Sequence, residues 1–297
     1  MLVCVLVRWK RSTTTPETGS NRTCMIIQIP DALTQHHSEE YRISIRLRPD
    51  GFSFSGYSPL QAESFFHSVV PFVSGVSRVE AMQQLWNENP CLQWRYQQLF
   101  VQGGTSHYTW VPDEDLDDEE KAAWFAFSFA DPDSCCLSDT SVPGRHALLY
   151  GADQALYTWC CKQLTKPIFR HYLSSVLTLW QKQNQAASTA ALYVLFHDGW
   201  IDVAAFRFGR LLFCNSFALR ASENAVYYIL YVWQQLGLQV EKDDLWIGGK
   251  DVPEIISFLS AYVRHVRELA VPSEAYLISS QWNEVPLEII SLFLCES

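Results

Sequence analysis

Between Ala190 and Gly249 the chain alternates short apolar runs with turn chemistry. Ala191 to Phe196 is unbroken apolar sequence, followed by His197-Asp198-Gly199-Trp200. Asp-Gly between two apolar runs predicts a hairpin, because both residues tolerate the positive φ of tight turns. Ile201 to Phe206 is the return strand, Arg207-Phe208-Gly209-Arg210 a second turn, and Leu211 to Phe217 a third strand. Val226, Ile229, Leu230, Trp233 and Leu236 then recur at helical spacing, with Ser222 as N-cap and Gly237 as stop. Leu245-Trp246-Ile247 predicts a buried strand, and Gly248-Gly249 a tight turn into a helix over Ile255 to Leu269. The order is meander, helix, strand, helix.

The first half carries a related pattern. From Tyr41 to Arg48, Ile43, Ile45 and Leu47 fall on one face and Ser44, Arg46 and Arg48 on the other. Pro49-Asp50-Gly51 turns the chain, and Phe52 and Phe54 then alternate with Ser53 and Ser55, which predicts a half-buried hairpin. Helices are expected over Gln61–Val70 and Arg78–Trp86, and strands over Tyr96–Val101 and His107–Val111. Asp131–Gly144 reads as a loop, His146–Tyr150 as a strand and Ala152–Leu164 as a helix. A further helix over His171–Gln183 turns Leu173, Val176, Leu177 and Trp180 inward. Glu274–Ser279 is expected to be a last strand, and Pro286 to open a helix carrying Leu287, Ile290 and Leu294. The small polar stretch Gln183–Thr189 divides the chain into lobes 25–186 and 187–297, and the halves around Ile43 and Tyr193 read as a weak internal duplication.

With 297 residues, 48% of them hydrophobic, the chain can build one large core or two. Net charge is −10, and the sequence holds no basic cluster beyond Arg8-Trp9-Lys10-Arg11, which makes nucleic acid a poor partner. Leu2–Val7 is too short to span a bilayer, and its positive charges follow the apolar run where a secretory signal would place them first. Ser12–Thr23 reads as a disordered tail, and Met25 would serve as the true start. Nine cysteines in no metal-ligand spacing point to reduced thiols in a cytoplasmic protein. The acidic run Asp113–Glu120 offers either a hard-cation site or a helix start; it lacks the glycine and final glutamate of an EF-hand loop.

Ala190–Gly249 resembles the second half of actin-like bacterial ATPases such as the pilus-assembly protein PilM, with the cytoplasmic domain of the secretion protein GspL a degenerate relative. From Met25 onward the chain looks like a bacterial domain-of-unknown-function family of that superfamily, on the marks Ile43–Tyr57, Arg145–Trp159 and Pro286–Glu296. The resemblance implies an α/β, two-lobed actin-like or ribonuclease H-like fold, with mixed sheets flanked by helices.

An actin-like ATPase holds Mg²⁺ and phosphates between two glycine-bearing hairpins, each opened by a strand ending in aspartate. Aligned on that pattern, Arg46 takes the first acid position and Arg48 its glycine; Leu195 takes the second acid position and His197 its glycine. Leucine offers no oxygen to a metal. Asp50-Gly51 and Asp198-Gly199 remain at turn tips, where hairpin geometry alone explains them. The missing acids also argue against ribonuclease H-type two-metal chemistry. No G-x-S-x-G, H-E-x-x-H or P-loop motif is present.

The expectation is a non-catalytic, pseudo-ATPase module that binds an unidentified protein partner and needs no cofactor. The alternative is a divergent ATPase or kinase-like enzyme that binds ATP and Mg²⁺ through Arg46, Asp198, Gly199, Gly248 and Gly249. A pair of carboxylates facing one another across the groove between the lobes would overturn the first.

Overall fold

A computed structural model describes residues 25–48, 51–72, 75–112, 117–129, 134–219, 223–249, 252–282 and 284–296. The expectations for residues 1–24, the Pro49-Asp50 turn, the first half of the acidic run and the Ser222 cap lie outside these residues. The chain begins with β1 (Arg42–Leu47), β2 (Gly51–Tyr57) and β3 (Phe66–Pro71), then α1 (Arg78–Glu88) and β4 (Gln98–Gly103). A small unit follows: β5 (Tyr108–Pro112), α2 (Asp118–Ser128), β6 (Ser134–Asp139) and β7 (His146–Asp153). Next come α3 (Gln154–Gln163), β8 (Ile168–His171) and α4 (Tyr172–Gln185). The second meander is β9 (Ala190–Phe196), β10 (Trp200–Arg207) and β11 (Arg210–Ala218), followed by α5 (Glu223–Gln235), β12 (Asp244–Gly249), α6 (Val252–Leu259), β13 (His265–Glu268) and α7 (Leu287–Cys295).

Two five-stranded sheets share one topology. Their orders are β3-β2-β1-β4-β8 and β11-β10-β9-β12-β13, each with antiparallel meander pairs and two parallel additions. The halves expected to be related therefore match strand for strand. Central strand β9 reads as an unbroken apolar run because both its faces are covered. Leu192, Val194 and Phe196 pack toward α5 and α6, while Ala191, Tyr193 and Leu195 pack toward α4. The third sheet, β5-β7-β6, is covered on one side by α2 through Phe125.

Local chemistry sets the helix ends. Ser77 with Glu80, and Asp117 with Glu120, form capping boxes at α1 and α2. The described end of the acidic run is thus a helix start. Gly237 has φ +62°, and the Leu238 N–H returns to Trp233 O to close α5.

Several sequence expectations need correction. Gln61–Val70 is not helical: Ser64 bonds the Ser58 and Gln61 carbonyls in a turn, and Val69 and Val70 extend into edge strand β3. Within the expected loop Asp131–Gly144, Ser134–Asp139 pairs with β7. The expected helix Ile255–Leu269 stops at Leu259, and His265–Glu268 adds to β12 instead. Ser273–Leu277 forms a 3₁₀ turn, so the last strand lies earlier than Glu274. The serine face of the first hairpin is also buried, with Ser44, Ser53 and Ser55 at most 2% exposed.

What covers that face is α7. It packs along α4, where Ser291 Oγ meets Ser175 Oγ at 3.4 Å, and its Phe293 ring sits 5.2 Å from that of Tyr57. Helix α7 is buried from Glu288 to Phe293, on all sides, because it fills the space between the two sheets. Among the described residues no helix is long and apolar enough to cross a membrane.

Gly249 shows how tightly the second sheet is built. It has φ +101°, and a Cβ there would run into the Phe196 backbone opposite it. Gly249→Ala is expected to destabilise the fold by about 2 kcal/mol or more, from left-handed strain plus the clash. A denaturant titration, read at the midpoint, checks it.

Candidate functional site

Polar side chains converge where α7 enters the space between the sheets. Strand β1 supplies Arg46, the β9–β10 turn His197, β10 Asp202, and the first turn of α7 Glu288. Arg46 Nη2 donates to Glu288 Oε1 at 2.7 Å, and the same oxygen lies 3.6 Å from His197 Nδ1. His197 Nε2 is 2.7 Å from Asp202 Oδ2. Tyr172 Oη donates to that Asp202 oxygen at 2.7 Å and accepts from Trp200 Nε1 at 3.3 Å. Ser216 Oγ donates to the other Asp202 oxygen and lies 3.0 Å from Tyr108 Oη. Gln102 Nε2 donates to the Glu288 main-chain carbonyl at 3.0 Å. Charges therefore alternate along one string, from cation to carboxylate to imidazole to carboxylate.

Burial makes this string consequential. Glu288 is 4% exposed and Asp202 fully buried. Burial alone would raise the Glu288 carboxyl, but Arg46 and His197 outweigh it and hold its pKa below the ordinary value. For His197 burial pushes downward, yet the hydrogen bond and charge of Asp202, with the charge of Glu288, raise it above 6.5. At nearby His171 burial outweighs the Thr105 carbonyl and the charge of Asp202, and drives it down to about 4. Its Nδ1 accepts the Leu173 N–H at 3.3 Å, capping α4, while Nε2 faces Thr105 O at 3.1 Å.

The sequence-predicted site residues divide into two groups. Arg46 lies in the string, bound by Glu288. Asp198 and Gly199 form the exposed tip of the β9–β10 turn, with Gly199 at φ +90° and open space beside it. Gly248 and Gly249 lie at the same end of the second sheet, opposite Leu195 and Phe196 in the parallel ladder. A Cβ on Gly248 would press on the Leu269 side chain and one on Gly249 on the Phe196 backbone, so close packing accounts for both glycines. Leu195 is a core residue, 3% exposed, and the residue opposite it across the hairpin is Asp202.

Two carboxylates, Asp202 and Glu288, lie between the sheets, but each is turned to His197 and they do not face one another across an open groove. His197 stands between them and faces both, and Arg46 closes the outer end. Among the described residues no group of three or more His, Cys, Asp or Glu side chains could hold a metal ion. Glu288 escapes sequence reasoning because an acid in a first helical turn reads as a dipole partner. The available signal is that it is the one charged residue within Leu287–Cys295. His197 reads from sequence as a solvated or packing side chain, and Asp202 as an alignment mark.

The two sheets of matched strand order define an actin-like ATPase fold. A Bacteroides thetaiotaomicron VPI-5482 protein with that fold and unknown function superposes with a TM-score of 0.75 at 22% identity, covering 89% of this chain and 99% of its own. The PilM–PilN type IV pilus biogenesis complex contains a chain that superposes at 0.51 and 11% identity, over 84% of this chain and 93% of that one. No curated protein sequence matches. Residues 30–266 match the family described as protein of unknown function (DUF3822), and the chain belongs to that family.

The string gives stability two pH limits. Glu288 has a depressed folded pKa, so its contribution is complete above about pH 4.5 and is lost as pH falls through the folded value. His197 has a raised one, so its contribution is complete below about pH 6.5 and is lost as pH rises through the folded value. In melts across this range, His197→Gln should flatten the alkaline limb and shrink the acid limb, which Arg46 then carries without the imidazole. Glu288→Ala, which leaves half-buried Arg46 without its carboxylate and His197 with Asp202 alone, should cost about 3 kcal/mol.

Proposed function

We propose that this chain is an actin-like module that works by binding other proteins and does not turn over nucleotide. The observation that carries this reading is Glu288. The resemblance puts phosphates between the two hairpins, and there the chain's own carboxylate already neutralises Arg46 and faces His197. A phosphate entering that space would confront Glu288 and Asp202 at short range in a poorly screened interior. Leu195 supplies no oxygen at the metal position, and Asp202 opposite it is committed to His197, Tyr172 and Ser216.

Support for a protein partner comes from the PilM-like neighbour, whose structure was solved in complex with another protein. The seven described cysteines are all free, in keeping with a reducing cytoplasmic compartment.

Melting the protein with and without Mg-ATP and Mg-ADP tests the reading. A ligand at a hundred times its Kd adds about 2.7 kcal/mol to the folded state, enough to raise Tm by several degrees. The expected result is an unchanged Tm. A saturable rise with either nucleotide overturns the proposal in favour of a divergent nucleotide-binding enzyme.

A further inference from the structure

The hairpin tip between β10 and β11 departs from economical construction in three ways. Phe208 has φ +52° and Gly209 φ +71°, a pair of left-handed residues that asparagine–glycine would satisfy with little strain. A bulky side chain in that conformation is an outlier, and this one is 66% exposed. Arg207 and Arg210 stand directly opposite one another across the ladder, placing like charges face to face. The tip does not drift into this state for want of support. Gly209 N–H donates to buried Asn184 Oδ1 at 2.9 Å, and Gln181 Nε2 donates to Gly209 O at 2.9 Å, so α4 fixes it from below.

A groove of about 460 Å³ separates the tip from the loop before β7, where Arg145 is exposed. Phe208 is the ridge between this groove and a second, of about 220 Å³, lined by Arg207 and Lys242. Arg46, Arg170, Arg264 and Arg267 each have a carboxylate partner. Among the described residues none pairs with Arg145, Arg207 or Arg210. Among the described residues these cations, remote in sequence, gather around an exposed ring, and Asp243, the one carboxylate lining either groove, is held by the Ala190 and Gln239 N–H groups. Strain and repulsion kept in a rigid frame mark a surface shaped for something outside it.

We propose that this tip, with Arg145 across the groove, docks an acidic segment of a partner protein, its carboxylates pairing with the three arginines and an apolar side chain resting on Phe208. The arginines lie on both sides of the ridge, so they suit charges spaced along an extended chain better than one compact anion. The guanidinium fork matches a carboxylate in two parallel hydrogen bonds. The inference rests on the partner-binding reading, and it names the chemistry of the partner.

The test is an array of extended acidic octapeptides, each with one apolar residue, and a matching array in which every acid is an amide. The full chain should bind a subset of the acidic peptides saturably and the amides at least about tenfold more weakly, with affinity falling as salt rises. Arg145→Glu and Arg210→Glu should each weaken binding about tenfold with little change in Tm. Phe208→Asn should weaken binding while Tm holds or rises, because asparagine relieves the left-handed strain; a purely structural Phe208 would lower Tm. Absence of acidic-peptide binding at low salt, equal binding of the amides, or indifference to both charge reversals overturns the proposal. Complete displacement by equimolar inorganic phosphate also overturns it and assigns the patch to phosphate. A Tm rise with Mg-ATP would remove the earlier reading and leave the peptide result to stand by itself.

Discussion

Taking a carboxylate out of water costs several kcal/mol unless charge and hydrogen bonds replace the solvent. Glu288 meets that condition only when three separate parts of the chain are in place. Arg46 comes from the first sheet, His197 from the turn of the second, and the Gln102 amide holds the main chain of Glu288 against β4. Each sheet alone would leave one end of the string unpaired in an apolar interior. The relative setting of the sheets is thus specified by charge as well as by packing, and a partly satisfied version of the network would be worse than an apolar one.

Helix α7 makes this possible because it can come close. Ser175 and Ser291 are fully or nearly buried between α4 and α7, where larger side chains would hold the helices apart. On its other side the serine-rich face of β1 and β2 leaves room for the helix. Those serines are small before they are polar: Ser44 and Ser53 hydroxyls have no hydrogen-bond partner. The arrangement exchanges some hydrogen bonding for proximity, and proximity brings Arg46 within 2.7 Å of Glu288.

The second sheet was legible in sequence because its signals are local. Asp198-Gly199 and Phe208-Gly209 mark the two hairpin turns, and the unbroken apolar run of β9 is what a strand covered on both faces looks like. Short edge strands were not legible. Strand β6 lies in Ser-Cys-Cys-Leu-Ser-Asp, and β13 in His-Val-Arg-Glu; each is a strand only because a neighbour offers a ladder. The burial of Ser44, Ser53 and Ser55 was hidden for a different reason. Their alternation with Ile43, Phe52 and Phe54 is that of a solvent face, and the helix that covers them arrives more than two hundred residues later. For the site, Arg46 was visible as a cation out of pattern, but its partner was not, since nothing near Glu288 in sequence refers to β1.

The separation of Arg46 and Glu288, 242 residues, bears on how the molecule comes into being. A ribosome delivers both sheets and their connecting helices before it delivers α7. Until then the inner face of the first sheet lacks its cover, and Arg46 and His197 lack their counter-ion. Closing so long a loop costs only logarithmically more than closing a short one, so lateness is a matter of timing more than of free energy. In order of synthesis α7 follows both of the sheets it joins, and the ion pair that ties it to β1 can close only after it is made.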